Sequence, residues 1–334
     1  VIPYDPRERA NRALLVGVSE YDFTDPPHGV PGDLPAVKHN VNRLREALER
    51  GGAFGEGEIR TAHSPSLDDF GEALHRAAQE AEGVLLLYFA GHGAIPSAAD
   101  ELYLQMRKAR VVADEWTVFP GAERLTTLLT VLMASPAQRI VVILDCCFAG
   151  NAAWVLETFR EKSRVLLMSV QANNRIDAGD GRTPTPFTAE LVRLLGEETD
   201  GGARLSDLAD RLRERMTVLG HRTMRGEPWV PLLKAERRVD VLLTRKAVRG
   251  TTDVDLDLPV DDPGTGGSGG GDIPVTGRVC CSWVFSPRGS AGYAPLSPGS
   301  RTGPGPRTGP GPGARPGPTP GPAGGASSAS SSRL

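Results

Sequence analysis

Two unbroken apolar runs constrain this chain more than anything else in it: VLLLYFA at 84–90 and IVVIL at 140–144. A strand with one wet face alternates apolar and polar side chains. A run without alternation is buried on both faces, as in a parallel sheet covered by helices. The first run passes directly into Gly91–His92–Gly93 and the second into Asp145–Cys146–Cys147. In an open parallel sheet, ligands bind beyond the carboxyl ends of the strands. A histidine and a cysteine presented together at that edge can make a thiolate nucleophile.

Strand-like and helix-like segments alternate around these runs. Arg12 to Val18 reads as the first strand. Leu34, Val37, Val41, Leu44 and Leu48 recur at helical spacing, with Asp33 before them and Pro35 in the first turn, both typical of a helix start. Glu58 to Ala62 predicts an edge strand, and Leu67 to Ala81 a helix with Phe70 and Leu74 on one face. A helix over 124–134 stops before Pro136. Past the cysteines, helices are expected at 152–159, 187–197 and 205–219, and a strand at 164–170. The apolar stretches 228–233 and 238–243 are candidates for a last strand. Strands alternating with helices imply right-handed crossovers and an α/β fold, a mostly parallel sheet with helices on both faces.

Composition shifts near residue 246, which divides the chain into a folded domain over 1–245 and a flexible tail over 246–334. Asp261 to Gly271 (DDPGTGGSGGG) is a linker by composition, and Gly, Pro, Ser, Ala and Arg dominate from Ser286 onward. Such a segment buries too little apolar surface to fold, so disorder is expected. Its Gly-Pro repetition has no strict triplet period, which excludes collagen. Val279 to Phe285 (VCCSWVF) is an apolar island in it; a docking segment, a terminal remnant and a shifted reading frame all stay open. The acidic stretch Val254 to Asp262 reads as solvated linker, because it lacks the spacing of a calcium-ligand set.

A net charge of -3 gives no general electrostatic reason to bind nucleic acid or an anionic membrane. No apolar run approaches the roughly 18 residues of a membrane span. The opening VIPYDPRERA lacks the basic and apolar regions of a secretory signal. The four cysteines form two adjacent pairs, Cys146–Cys147 and Cys280–Cys281, and adjacent cysteines make strained disulfides. With no C-x-x-C spacing, no metal site is expected. A reducing cytoplasm is the expected location.

Each motif alone has an ordinary explanation: His92 as a turn histidine, Cys146 and Cys147 as small buried hydrophobes. Both together, each ending a core strand, favour a reactive pair. Gly91 and Gly93 let the chain turn sharply and bring a backbone N–H close to a substrate. The N–H groups of Gly93 and Cys147 are the natural oxyanion donors for acyl transfer. Cys146 is the rival nucleophile. Strand alternation points it into the core, whereas Cys147 opens the turn.

The pair GHG at 91–93 and DCCFAG at 145–150 resembles the caspase-like cysteine peptidases, closer to metacaspases and bacterial caspase homologues than to animal caspases. RALLVGVSEYD, DLPAVKHNVNRLREAL and PFTAELVRLL also look like this family, so the resemblance covers roughly residues 10 to 245. It implies a caspase-like three-layer sandwich with a mostly parallel six-stranded sheet. It implies a cysteine-type endopeptidase working through a Cys147–His92 dyad without a third member, on protein or peptide substrates. Cys146 takes the place of a Ser in the family motif, and Phe148 the place of a His. The role would be regulated proteolysis in stress, defence or death signalling. No cofactor is expected, although some metacaspases need calcium.

The resemblance also implies that Asp145, two places before the nucleophile, lines the primary pocket and pairs with Arg or Lys before the cut, by a bidentate charge-assisted contact in the arginine case. Its plainer role would be to cap the following turn. A second pocket acid of the family falls on Asn40 here, which lowers the pocket's negative charge. Asp33 and Asp22 are nearby acids that could substitute. Ser169, with Gln171 and Asn173, falls where the family builds a wall of the substrate groove. Basic specificity would make Arg175 and Arg182 self-cleavage points. His28, His39, His63, His75 and His221 read as surface or structural residues. A non-catalytic caspase-like scaffold is the alternative function, disfavoured because a scaffold needs neither His92 nor Cys147. A nucleotide-binding domain is disfavoured because no Gly-rich phosphate loop follows the first strand.

Overall fold

The first run of apolar residues, Arg12–Gly17, is strand β1, and all but its first residue are buried. The computed structural model describes residues 9–113, 117–156, 163–197, 202–235 and 240–245. The expectations for the tail from 246 onward, including Cys280 and Cys281, lie outside these residues. After β1 come helix α1 (Ala36–Gly51) and strand β2 (Ile59–His63). Helix α2 (Leu67–Glu80) starts on a capping box, in which Ser66 Oγ accepts the Asp69 N–H and the Asp69 carboxylate accepts the Ser66 N–H. Strand β3 (Val84–Ala90) is buried at every position, as its sequence requires.

Short strands that no periodicity announced follow: β4 (Gly93–Ala94), β5 (Tyr103–Gln105), β6 (Val112–Ala113), β7 (Thr117–Val118) and β8 (Ala122–Arg124). β4, β5 and β8 pair into an antiparallel sheet. Helix α3 (Leu125–Ala134) then leads to β9 (Arg139–Asp145), buried at all but its first residue. Helix α4 (Ala152–Leu156) precedes β10 (Ser163–Met168), and α5 (Pro186–Gly196) carries Pro186 at its first turn. The rest are β11 (Ala203–Arg204), α6 (Leu205–Val218), β12 (Leu232–Ala235) and β13 (Leu242–Thr244).

Six strands form the central sheet in the order β12-β10-β9-β3-β1-β2, parallel throughout except for β12 at one edge. Of the two candidate last strands, only the first reaches this sheet. The second supplies β13, which pairs with β11 instead. Helices α1, α5 and α6 pack together, and α2 packs with α3. Right-handed crossovers place these groups on opposite faces, giving three layers. Each fully buried Leu, Val or Phe of β3 and β9 contributes about 1.5–3 kcal/mol relative to exposure. The two strands that lead to His92 and Cys147 are thus buried along nearly their whole length.

The start of α1 differs from its sequence reading. The helix begins at Ala36, and Pro35 holds the capping position without a side-chain hydrogen bond. Asp33 does not cap it. Its Oδ1 accepts the Tyr21 N–H at 2.9 Å and so ties down the loop between β1 and α1.

Candidate active site

Strands β3 and β9 are paired in register to their last residues, with Ala90 opposite Asp145. The ladder continues one step further, with the Gly91 N–H donating to Asp145 O at 3.4 Å. His92 and Cys147 therefore each lie two residues beyond a matched pair on neighbouring strands. Both line a single pocket at this edge, with Asp145 below and Leu34, Val37 and Ile176 among its apolar walls.

His92 is held from several sides. Its backbone N–H donates to Tyr21 Oη at 2.8 Å, and the Tyr21 ring lies over the imidazole at 4.8 Å between centroids. Its Nε2 lies 2.8 Å from Gly32 O. A carbonyl only accepts, so Nε2 carries the ring hydrogen and Nδ1 is the basic nitrogen. Gly32 has φ of 118°, a conformation few other residues adopt, and this turn aims the carbonyl at the ring. Burial lowers the His92 pKa from 6.5 to about 4, although the Gly32 carbonyl and the Asp33 carboxylate pull it upward. The imidazole is thus neutral at pH 7, with its lone pair on Nδ1, and burial weakens it as a base.

The two cysteines separate as strand alternation predicts. Cys146 is fully buried, and burial pushes its thiol pKa well above the ordinary value. It does not line the pocket; Cys147 does. Phe148 follows in a left-handed conformation (φ 61°), uncommon for a bulky residue, which turns the chain away from the strand. Its N–H donates to Asn174 O at 2.7 Å, and the Arg175 guanidinium sits 5.5 Å above its ring. These contacts hold the turn that presents Cys147.

Gly93 joins the two motifs. A Cβ at this position would lie 2.2 Å from Cys147 O and 3.1 Å from Cys146 Sγ, so only glycine fits. The Gln105 N–H donates to His92 O, which puts Gly93 at a non-hydrogen-bonded position of the β4–β5 ladder. Its N–H points away from β5.

Asp145 is 2% exposed and anchors a polar cluster beneath the pocket. Its Oδ2 accepts from Thr185 Oγ1, Thr188 Oγ1 (2.7 Å) and Asn40 Nδ2 (3.2 Å). Tyr88 Oη and Thr188 Oγ1 are 2.7 Å apart, and the Thr185 N–H donates to Asn40 Oδ1 at 2.8 Å. Asp145 Oδ1 is buried and has no hydrogen-bond partner. Burial raises the Asp145 pKa from 3.8 to about 6, with the hydrogen bonds from Thr185 and Thr188 and the nearby Tyr88 hydroxyl opposing it. Leaving a buried carboxylate oxygen unpaired is costly, and Oδ1 is such an oxygen among the described residues.

The other expected substrate contacts sit elsewhere. Asp33 is exposed and does not line the pocket; it acts through Tyr21. Asp22 pairs with Arg107 at 2.8 Å. Ser169 is fully buried; its Oγ donates to Cys146 O at 3.4 Å, and its own carbonyl accepts from the Trp229 indole. Gln171 bonds the backbone at Pro228 and Val230, and Asn173 bonds Asn151 and Ala99. Asn40 sits beneath the pocket at the position of the family acid. Sequence reasoning missed the Gly32 carbonyl, Tyr21, Thr185 and Thr188. A backbone carbonyl leaves no mark in a sequence; the tyrosine and threonines gain meaning only from the long-range packing of their segments.

A family model, described as the caspase domain, matches residues 10–238. A search of curated proteins found no match. Among solved structures, caspase-1 from Spodoptera frugiperda is similar with a TM-score of 0.47 and 11% sequence identity, covering 74% of this chain and 93% of that one. The matched residues span β1 to β12 and include both His92 and Cys147, and the chain belongs to the caspase family.

Proposed function

We propose that this chain is an active cysteine endopeptidase that cuts proteins or peptides after a basic residue. The observation that carries the reading is that one pocket is lined by His92, Cys147 and Asp145 together. In the reaction, His92 Nδ1 takes the Cys147 thiol proton as Sγ attacks the scissile carbonyl carbon. The carbonyl π pair moves onto oxygen, where the N–H groups of Gly93 and Cys147 receive the negative charge. The tetrahedral intermediate collapses as the C–N bond breaks, and His92 returns the proton to the leaving amine. Water, deprotonated by His92, then attacks the thioester; the acid leaves and the thiol is restored.

The Gly32 carbonyl supports the base role, because it holds the tautomer that leaves the Nδ1 lone pair free of the ring hydrogen. The unpaired Asp145 Oδ1 supports a cationic side chain in the primary pocket. Regulated proteolysis in stress, defence or death signalling is the role this activity fits. The reading is tested with a fluorogenic peptide panel that varies only the residue before the cut. Basic residues should be cleaved at least about tenfold faster than Asp or Ala, and Asp145→Ala should remove that preference. Preference for an acidic residue, or unchanged basic preference in Asp145→Ala, overturns the pocket assignment.

A further inference from the structure

The hydrogen bonds beneath the pocket carry a finer discrimination, which rests on the basic-residue reading above. We propose that the pocket over Asp145 takes lysine in preference to arginine, because it offers a cation one free acceptor rather than two. The sequence alone suggests a bidentate grip on a guanidinium, and the geometry argues against it. Asp145 Oδ2 already accepts from Thr185, Thr188 and Asn40, which exhausts that oxygen. Oδ1 is the carboxylate oxygen left without a partner.

The neighbouring acceptors are also engaged. Asn40 Oδ1 takes the Thr185 N–H, and Thr185 Oγ1 accepts from Asn40 Nδ2 at 2.9 Å. Thr188 Oγ1 faces Tyr88 Oη. A guanidinium brings five N–H donors in a rigid fork shaped for two carboxylate oxygens. Seated here it would bury donors unpaired. An ammonium is a point charge with three rotatable donors on a flexible stem, and a single oxygen can anchor it. The walls formed by Leu34, Val37, Ile176 and Ala178 suit its four-carbon stem. Asn40 is outside the pocket lining and faces Asp145 Oδ2 and Thr185, so it adds no acceptor for the cation.

The experiment compares kcat/KM for two fluorogenic peptides identical except for Lys or Arg before the cut. Lysine should be favoured by about tenfold or more, the penalty expected for guanidinium donors buried without acceptors. Arginine cleaved as fast or faster overturns the proposal. Fast cleavage after a neutral or acidic residue, with neither basic peptide cut, instead defeats the basic-pocket reading on which it rests. Fluorescence anisotropy on Cys147→Ala reads binding of the same two peptides without turnover. Tighter binding of the lysine peptide supports the proposal; equal binding, tighter arginine binding or no binding of either contradicts it. Thr185→Val removes one of the donors that occupy Asp145 Oδ2 and should move the ratio toward arginine; an unmoved ratio in the folded variant contradicts the acceptor argument.

Discussion

The carboxyl ends of β3 and β9 and the loops that close over them do different work. The strands place His92 and Cys147 side by side through a register that ends at Ala90 and Asp145. The loops decide what state those groups are in. Gly32 O sets the histidine tautomer, Tyr21 fixes its backbone, and Thr185 supplies one of the three donors on Asp145 Oδ2. Position comes from a buried sheet that tolerates little change. The tautomer of His92 and the hydrogen bonding of Asp145 come from segments whose contacts can be altered one at a time.

The sharpest contrast within the strand ends is between two adjacent thiols. Cys147→Ala should lower turnover by about 10³-fold or more, and Cys146→Ala should leave most of it. Steady-state kinetics on both variants, with circular dichroism to verify folding, checks this. Comparable losses in the two would erase the distinction between the pocket thiol and the core thiol.

The pH dependence of stability separates the two buried ionisable groups. His92 has a folded pKa of about 4, below its ordinary 6.5, so the unfolded chain binds more protons between those values. Its contribution to stability is present above pH 6.5 and is lost as pH falls toward 4. Asp145 has a folded pKa of about 6, above 3.8, so the folded chain binds more protons in that window. Its contribution is present at low pH and is lost as pH rises through 6. The two slopes oppose each other across roughly pH 4–6. In urea melts, the stability of the wild type relative to Asp145→Asn should fall by about 2 kcal/mol as pH rises from 4 to 6. A pH-independent difference would mean that Asp145 titrates normally.

Two smaller effects test the joints between strands and loops. Gly93→Ala drives a methyl into Cys147 O, and about 100-fold loss of kcat is expected as the oxyanion donors part. Tyr21→Phe removes the acceptor of the His92 N–H but keeps the ring contact. About tenfold loss in kcat, little change in KM and a shifted acid limb of the pH–rate profile are expected. An unmoved pH profile would reduce Tyr21 to a packing residue.

The same contrast explains what the sequence made legible. VLLLYFA and IVVIL admit little but doubly buried strands, and alternation along β9 sufficed to send Cys146 inward and leave Cys147 at the turn. The place of Asp145 at the end of β9, two residues before Cys147, was readable from the sequence. The three donors that occupy its Oδ2 were not, because Asn40 lies 105 residues before Asp145 and Thr185 and Thr188 lie 40 and 43 residues after it. Asp33 looked like a helix cap because caps are local, and its real partner, the Tyr21 N–H, lies twelve residues back. Ser169 fell at the right strand end, but it faces Cys146 O inside the core.

The central claim is that Cys147 is the nucleophile activated by His92 in a pocket that Asp145 selects. Treating the protein with a peptidyl acyloxymethyl ketone bearing lysine before the warhead, then mapping the adduct by mass spectrometry, tests it most directly. The account predicts one adduct, on Cys147, formed at least about tenfold more slowly in His92→Ala and with an aspartate-bearing reagent. Labelling at Cys146, or labelling of Cys147 at an equal rate in His92→Ala, would contradict it.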